Sequence, residues 1–362
     1  MPVKLALQTF PAPTLVVLAL AGCAKNEPAP RSPDTVAAAE AGPGELVYVS
    51  NEDSRNLSVI DAATDSVVAT IEVGTRPRGV RVSPDGKTVY VALSGSPKCP
   101  PTMPDAECEK LKSDPSLDGI AVVDVAARRT VKTFPAGLDP ETFDVSPDGA
   151  RLFVSNEAAD SATIVDVASG RAVANVKVGR EPEGVTLAPD GKTVWVTGET
   201  DHDITGIDVA SGKAVATIDI LGKRPRGIAI LPDGSRAYVT NEVSGTVSVV
   251  DIAAKKTIKQ IQMPEGSRPM GITVTRDGKR IYVSNGRGKT VSVIDPATES
   301  VLVTTEVGAR PWGIALSSDG KKLYTANGPG NDVSVVDAET MTLIRTVPVG
   351  SVPWGVAVGP KP

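Results

Sequence analysis

The sequence has few of the residues that enzymes most often use for acid–base and metal chemistry. Among 362 residues it contains one histidine, His202, and three cysteines. A single imidazole counts against a metal site built from several histidines, and no Cys-x-x-Cys-His motif is present for covalent attachment of haem. No complete catalytic constellation is recognisable either. We therefore expect no catalytic residue, no resident metal and no cofactor.

Long apolar runs are scarce as well. The run at 15–20 leads into Leu-Ala-Gly-Cys ending at Cys23, which resembles a bacterial lipobox. A short membrane anchor is the alternative, but the run is well below the roughly 18 apolar residues of a spanning helix. We expect a signal peptide over 1–22, a lipid on Cys23 and an extended Pro- and Ala-rich tether over 23–44. Ala24, directly after the cysteine, favours a lipoprotein of the periplasm-facing outer membrane.

Basic residues do not exceed acidic ones. Lys and Arg number 38 against 43 Asp and Glu, which makes nucleic acid an unfavoured partner and leaves the Cys23 lipid as the membrane contact. Cys99 and Cys108 are an even pair in an oxidising compartment, so we expect a disulfide between them. A reduced pair or a soft-metal site is the alternative. Both cysteines lie in an insertion at 94–117. We expect a monomer.

A repeat dominates the rest of the chain. The phrase Pro-x-Gly, or a close relative, occurs seven times, at intervals of 63, 42, 43, 44, 42 and 42 residues. A fixed period of this size indicates a ring or array of equal units. The middle letter varies and reads, in order, Arg78, Glu141, Glu183, Arg226, Met270, Trp312 and Trp354.

Each period contains four short alternating runs separated by turn residues, which predicts four β-strands. The last unit supplies only its first strand, at 354–358, whereas the first unit begins at its second strand, at 46–50. Pairing the C-terminal strand with the N-terminal three strands would close a ring and hide the sheet edges. We therefore predict an all-β fold, a seven-bladed β-propeller of four-stranded antiparallel blades over 45–359.

Aromatic residues make up only 3% of the sequence, so each one is informative. One occupies the same second-strand position in every repeat, and Phe134 and Phe143 align with core valines, so these nine are assigned to the core. Trp312 and Trp354 stand outside this packing scheme. The nine core residues are completed by Tyr48, Tyr90, Phe153, Trp195, Tyr238, Tyr282 and Tyr324.

The irregular positions all map to one face of the predicted ring. The variable Pro-x-Gly letter, the ends of the second strands and the 94–117 insertion lie there, whereas the opposite face carries uniform Ser-Pro-Asp-Gly-like turns. We predict a polarised mouth, charged on one side and apolar on the other, that binds a protein partner or small ligand. Its residues are the seven variable letters above together with Arg76, Arg224, Arg268, Arg310, Glu199 and His202.

Several of these residues also have simpler explanations. The recurrent strand-end asparagines commonly close local hydrogen bonds, and the arginines beside each proline would be solvated or form an inter-blade charge belt. His202 between two aspartates would be a metal ligand or a solvated loop residue. Glu199, Asp201 and Asp203 are Ca²⁺-compatible side chains without a recognised calcium-binding spacing.

The Tyr-Val-Ser/Thr-Asn segments at 238–241 and 282–285, with the Ser-Pro-Asp-Gly-Lys turn at 83–87, resemble YVTN-repeat β-propellers over essentially the whole of 45–359. Further segments are similar to a seven-bladed subfamily that is associated with PQQ-dependent alcohol catabolism and a neighbouring transport system. Those segments are 76–79, 139–141, 181–184, 325–328, 331–335 and 353–356. The cysteine-bearing insertion and the lipobox depart from the subfamily pattern.

Three functional hypotheses follow. The first is a membrane-tethered periplasmic or surface propeller that binds or scaffolds without catalysis, and the resemblance implies an accessory role in PQQ-dependent alcohol oxidation or the associated transport. The alternative is an enzyme of the propeller lactonase type with Glu141, Glu183 or Glu199 as acid or base. The second alternative is a propeller that binds a d1-haem-like cofactor through His202.

Overall fold

The computed structural model describes residues 44–98, 103, 107 and 110–361. The signal peptide, the tether, the lipidation site Cys23 and the cysteine pair Cys99 and Cys108 lie outside these residues. Among the described residues, no helix has the length and apolar character that crossing a membrane requires.

The described chain is a succession of short strands with three 3₁₀ turns, at Pro115–Leu117, Glu157–Ala159 and Gly328–Gly330. The first fourteen strands in chain order are β1 (Glu45–Asn51), β2 (Asn56–Asp61), β3 (Ser66–Glu72), β4 (Pro77–Val82), β5 (Thr88–Leu93), β6 (Gly119–Asp124), β7 (Arg129–Phe134), β8 (Pro140–Val145), β9 (Arg151–Asn156), β10 (Ser161–Asp166), β11 (Arg171–Lys177), β12 (Pro182–Leu187), β13 (Thr193–Gly198) and β14 (Asp203–Asp208). The remainder are β15 (Lys213–Asp219), β16 (Pro225–Ile230), β17 (Arg236–Asn241), β18 (Thr246–Asp251), β19 (Lys256–Gln262), β20 (Pro269–Val274), β21 (Ile281–Asn285), β22 (Thr290–Asp295), β23 (Ser300–Glu306), β24 (Pro311–Leu316), β25 (Lys322–Asn327), β26 (Asp332–Asp337), β27 (Thr342–Pro348) and β28 (Pro353–Pro360).

These strands form seven antiparallel four-stranded sheets, one per blade. Six sheets use consecutive strands, and the seventh has the order β28-β1-β2-β3. In that sheet the C-terminal strand pairs with the N-terminal one, for example Val358 with Val47 and Val356 with Val49. The predicted seven-bladed propeller and its mode of ring closure are confirmed. Blades are numbered 1 to 7 below, beginning with the blade that contains β1.

The core lies between neighbouring blades. Seven clusters of buried apolar side chains each join residues of two adjacent blades. Each cluster contains one of the aromatic residues of the second strands. All nine aromatics assigned to the core are buried, the most exposed of them being Tyr90 at 4%. Phe134 and Phe143 fill the space between blades 2 and 3, where they pack with Tyr90.

Pro-x-Gly forms the first three residues of the innermost strand of each blade. In blade 5, Pro225 pairs with Asn241 and Ile228 pairs with Val239, so two residues of the inner strand lie opposite one residue of its partner. The same register shift occurs in all seven blades. A β-bulge of this kind bends the strand and re-aims a side chain. Proline suits the position because it begins the strand.

The glycine of the phrase is required where consecutive inner strands approach each other. A Cβ atom on Gly227 would lie 2.7 Å from the carbonyl oxygen of Met270, and one on Gly313 would lie 2.7 Å from that of Trp354. A side chain at either position would clash with the backbone of the next blade. Six blades therefore use glycine at this contact. In blade 3 the position is Thr142, whose Oγ1 donates a hydrogen bond to the carbonyl of Glu183 in the next blade.

A hydroxyl group then links the two inner strands. In blade 5, Thr240 Oγ1 accepts a hydrogen bond from Gly227 N–H at 2.8 Å and donates to the carbonyl of Met270 in blade 6 at 2.6 Å. Five of the seven blades carry such a bridge, and in the other two the position is Ala92 or Ala326. The bridging residues are Ser50, Ser155, Thr197, Thr240 and Ser284.

We predict that Thr240→Val weakens the ring, because it leaves a backbone donor in blade 5 and an acceptor in blade 6 without their shared partner. The free energy of unfolding should fall by about 1–3 kcal/mol. Thr217→Val, on the exposed outer strand β15, is the matched control and should change it by less than about 0.5 kcal/mol. Denaturant titration measures both, and equal losses would contradict the bridging role.

Candidate functional site

The bulges of the seven inner strands surround one end of the central channel, which we call the mouth. A cavity of about 200 Å³ opens there. Of the thirteen residues predicted for the binding face, six line it: Glu183, Arg226, Met270, Arg310, Trp312 and Trp354.

The charged side of the mouth is an ion-pair network across blades 4 and 5. Arg226 forms a salt bridge with Glu183 of the preceding blade and lies 3.1 Å from Glu199 and 3.2 Å from Glu242. Arg224 pairs with Glu199 and approaches Glu242 at 3.6 Å. The three carboxylates are buried. The charges of this side therefore compensate one another before any ligand arrives.

A second network surrounds Arg78 at the junction of blades 2 and 3. This buried guanidinium forms a salt bridge with Glu141 and lies 3.1 Å from Glu157 and 3.4 Å from Asp139. Neither Arg78 nor Glu141 lines the cavity. Both side chains join blades 2 and 3, a role that the sequence suggested for the arginines before the prolines and not for these two residues.

These networks contain more carboxyl groups than arginines, and the pKa values of the carboxyl groups differ from one another as a result. Burial raises the pKa of Glu199 to about 8, with the neighbouring Glu183 charge adding to the effect. Burial and the Glu183 charge likewise raise the pKa of Glu157 to about 7. Although Glu183 is itself buried, Arg226 lowers its pKa. Glu183 is therefore the ionised partner, flanked by two carboxyl groups that retain protons near neutral pH.

The apolar side of the mouth is formed by blades 6, 7 and 1. The rings of Trp312 and Trp354 lie with their centroids 6.3 Å apart at 45°, and both remain partly exposed, as does Met270. Glycines make room for them: a Cβ on Gly286 would lie 3.0 Å from Met270 Cγ, and one on Gly328 would lie 3.1 Å from the ring of Trp312.

Arg310 stands between these sides without an acidic partner. Its guanidinium carbon lies 5.0 Å from the centroid of the Trp312 ring, in cation–π geometry. No salt bridge found among residues 44–98 and 110–361 includes it. Desolvation lowers the pKa of Arg310, and the charge of Glu242 partly opposes this effect. The nearby Arg287, Arg226 and Arg224 lower the pKa further. An anion in the cavity would relieve both effects.

The remaining predicted residues lie around the rim. Arg76 pairs with Glu52 at 2.9 Å, joining blades 2 and 1. Arg268 is half-buried and precedes the proline of blade 6. His202 occupies a left-handed turn with φ of 57°, where its Nδ1 lies 2.8 Å from the carbonyl oxygen of Glu199. Neither Arg268 nor His202 reaches the cavity.

The strand-end asparagines follow the simpler explanation. Asn241 Nδ2, for example, donates to Thr246 Oγ1 at 3.0 Å and to Ser248 Oγ at 2.8 Å on the third strand of its blade. The calcium-compatible trio does not converge, because Asp201 binds Arg180 at 2.7 Å while Glu199 binds Arg224. Within the described part of the chain, no cluster of three or more acidic, histidine or cysteine side chains is suited to a metal ion.

Sequence reasoning missed the residue that follows each strand-end asparagine. It is Glu52, Glu157 or Glu242 beside charged or buried neighbours, but Gly286 and Gly328 beside Met270 and Trp312. The glycines mark blades 6 and 7, whereas blade 1, which supplies Trp354 to the same apolar side, has Glu52 at this position.

Sequence reasoning also missed a second cavity at the other end of the channel. A cavity of about 1020 Å³ opens on the face that carries the uniform turns, and its wall shares Ile228, Ile272, Ile314 and Val356 with the mouth cavity. These are ordinary strand residues, and their exposure to the lumen depends on the tilt of each blade, which spacing does not determine.

Two family descriptions match parts of this chain. Residues 185–359 match "Lactonase, 7-bladed beta-propeller", and residues 106–189 match "YNCE-like beta-propeller". Together with the seven-bladed fold, these matches confirm the predicted resemblance to YncE-like propellers. The closer relationship to the PQQ-associated subfamily stays a prediction.

Similarity to individual proteins supports the fold and assigns no activity to this chain. Antigen Lp49 of Leptospira interrogans is 31% identical over 110 residues, which cover 30% of this chain and 23% of that protein. The chain thus spans about a quarter of that relative's length. Hydrazine synthase of Kuenenia stuttgartiensis superposes with a TM-score of 0.66 at 23% identity, covering 79% of this chain and 95% of that one. A candidate 6-phosphogluconolactonase of Bacteroides fragilis gives 0.72 at 17% identity, covering 89% and 99%.

We predict that the protein loses stability as the pH rises from 6 to 9. Glu199 has a pKa of about 8 when folded and an ordinary, lower one when unfolded, so the folded state binds more protons in between. Its contribution is complete at acidic pH and disappears as the pH passes 8. The expected loss is about 1–3 kcal/mol.

Glu199→Gln should reduce this dependence and remove most of it above about pH 7, because an amide does not titrate and Glu157, with a pKa of about 7, remains. Glu306→Gln on the exposed outer strand β23 should leave the dependence unchanged. Thermal unfolding at fixed ionic strength measures the three profiles. Parallel profiles for all three proteins would show that Glu199 does not hold a proton in the folded state.

Proposed function

We propose that this seven-bladed propeller is a binding protein that takes a small anionic ligand at the mouth, between Arg310 and the Trp312–Trp354 pair. The observation that carries the proposal is Arg310, an arginine of the cavity wall that stacks on an aromatic ring and has no carboxylate partner among the described residues. Ligand sites combine apolar and aromatic walls with a few polar groups that fix orientation. The mouth has this composition.

The distribution of charge supports an anion over a cation. The carboxylates of blades 3 to 5 already bind Arg78, Arg224 and Arg226, so they offer little to a positively charged ligand. Arg310 lies near three further arginines, Arg224, Arg226 and Arg287, whose positive potential Glu242 offsets in part. A carboxylate or similar group would gain a charge-assisted hydrogen bond from Arg310.

The cellular setting belongs to the same proposal. Lipidation of Cys23 and the tether at 23–44 would hold the propeller at the outer membrane, facing the periplasm, as a monomer. The resemblance to PQQ-associated propellers supports an accessory role in alcohol oxidation or the linked transport, in which the bound anion or a partner protein is handed on without chemistry at the mouth.

Isothermal titration with benzoate, an anion with a flat apolar body, tests the proposal. We expect saturable binding that Arg310→Gln weakens at least about tenfold, the value of one hydrogen bond to a charged group. Arg268→Gln is the matched control, because Arg268 precedes the proline of the neighbouring blade with the same backbone φ of 52° but does not line the cavity. No binding by the wild type, or equal losses in both variants, would reject the mouth as the site.

A lactonase activity is the second candidate, and the raised pKa of Glu199 beside ionised Glu183 is the observation that favours it. A protonated and an ionised carboxyl in contact are suited to acid–base work. If this candidate is right, purified protein hydrolyses 6-phosphogluconolactone and Glu183→Gln abolishes the activity, while Glu306→Gln retains it. Unchanged hydrolysis in Glu183→Gln would assign any activity to another site or a contaminant.

The d1-haem alternative would need His202 as a nitrogen ligand. That histidine lies on the β13–β14 turn, away from the cavity wall, and its Nδ1 faces the carbonyl of Glu199. The position of His202 therefore offers this alternative less support than Arg310 and the tryptophan pair offer anion binding.

A further inference from the structure

The lumen of the channel is not equally accessible around the ring. In the inner strands β20 and β24, five of six residues are partly exposed, whereas in β4 and β12 only the last two are. The open part of the lumen therefore runs along blades 6 and 7. These are the blades that supply Met270 and Trp312 to the mouth.

The wall along β20 and β24 is aliphatic. Ile272 and Val274 pack from behind on the core between blades 5 and 6, and Ile314 and Leu316 pack on the core between blades 6 and 7, yet all four keep an exposed surface toward the channel. Partly exposed aliphatic side chains lining a confined lumen favour an apolar occupant.

The opposite wall also has aliphatic residues, since Val82 and Leu187 line the lumen at the positions that Val274 and Leu316 occupy in β20 and β24. It differs at the fifth residue of each strand, where β20 and β24 carry Thr273 and Ala315. Blades 2, 3 and 4 contribute Arg81, Asp144 and Thr186 at equivalent positions of their inner strands. Arg81 Nε lies 3.7 Å from Asp144 Oδ1, and Asp144 Oδ2 accepts a hydrogen bond from the Leu187 amide at 2.8 Å. The charged groups of Arg81 and Asp144 thus have partners within the protein.

The aliphatic wall is continuous with the mouth. Ile272, Ile314 and Val356 line both the mouth cavity of about 200 Å³ and the larger one of about 1020 Å³. An apolar path therefore begins beside Trp312, next to the unpaired Arg310, and ends at Leu316 near the opposite face. One cationic group at the head of an aliphatic path is the complement of an amphiphile with one anionic end.

We propose that the ligand of the mouth is an aliphatic carboxylate or related amphiphile, with its anionic group on Arg310 and its unbranched chain in the lumen along β20 and β24. This inference rests on the proposed function, since it assigns the remainder of the same ligand. Arg310 orients the molecule, and burial of the chain supplies the larger part of the affinity.

The test is isothermal titration of the wild-type protein with butyrate, hexanoate, octanoate and decanoate at submicellar concentrations. Each additional buried methylene should tighten binding about fourfold, the factor that corresponds to its transfer free energy. Decyltrimethylammonium, with the same chain and a cationic end, should bind at least about tenfold more weakly than decanoate because it cannot pair with Arg310.

A pair of matched variants locates the chain. Leu316→Gln places a polar group in the aliphatic wall at the far end of the path and should weaken decanoate at least about fivefold without changing butyrate. Leu187→Gln makes the same substitution at the equivalent position of β12, on the polar side of the lumen, and should leave both affinities unchanged. Circular dichroism confirms that each variant is folded.

The outcomes separate the two proposals. Affinity that rises with chain length and falls only in Leu316→Gln supports the lumen as the chain site. Affinity independent of chain length, with benzoate binding that still depends on Arg310, overturns this inference and leaves the proposed function standing. Chain-length dependence that neither leucine variant alters overturns it too, because the chain would then bind elsewhere. Absence of binding by benzoate and by every alkanoate overturns both.

Discussion

The contact between consecutive inner strands is the constraint on which the rest of the molecule depends. Seven blades can surround a narrow channel only if each inner strand approaches the next at backbone distance, and the glycine of Pro-x-Gly permits this because its missing Cβ would lie 2.7 Å from the carbonyl of the next blade in blade 5. The hydroxyl of the second strand then joins a donor of its own blade to an acceptor of the next. Both groups would otherwise be buried without partners, so the same residue satisfies them and sets the spacing of the blades.

This arrangement also determines where variation is tolerated. Proline begins the strand, glycine makes the contact, and the residue between them lies in a bulge whose side chain is free of both tasks. Blades 2 to 5 use the position for ion pairs that join neighbours, such as Arg226 with Glu183. Buried pairs of this kind contribute more to specific geometry than to net stability, because desolvation offsets much of their attraction. The ion pairs in the charged half of the mouth therefore serve mainly to join neighbouring blades. They leave few charged groups there free to bind a ligand.

Most of the fold was predictable, because its determinants are local and repeated. Turn residues, alternating strands and a second-strand aromatic such as Tyr238 recur at a nearly constant period, and the half-units at the ends specify closure. The mouth was predictable as a location, from the variable letter and from Trp312 and Trp354. Which charged residues of the mouth face the cavity was not predictable. Arg78 and Glu141 pair with each other away from the cavity, whereas Arg310 lines it without a salt-bridge partner among the described residues. Such differences depend on which side chains meet across the boundary between two blades. Aligning the repeats shows which positions are equivalent, but it does not show which residues of different blades are neighbours in space.

The residue after the strand-end asparagine, Glu or Gly, helps to explain why the two sides of this repetitive ring differ. Where Glu242 occupies the position in blade 5, its carboxylate lies 3.2 Å from Arg226. It closes that side together with Glu199, which follows Gly198 in blade 4 and lies 3.1 Å from the same arginine. Where glycine occupies it, at 286 and 328, Met270 and Trp312 fold back against the backbone and the lumen beside them stays open. The open side exposes aliphatic side chains of β20 and β24 to the lumen, and Arg310 at its head forms no salt bridge among the described residues. An amphiphile is the ligand that satisfies both features at once, since its anionic end removes the desolvated charge while its chain removes apolar surface from water.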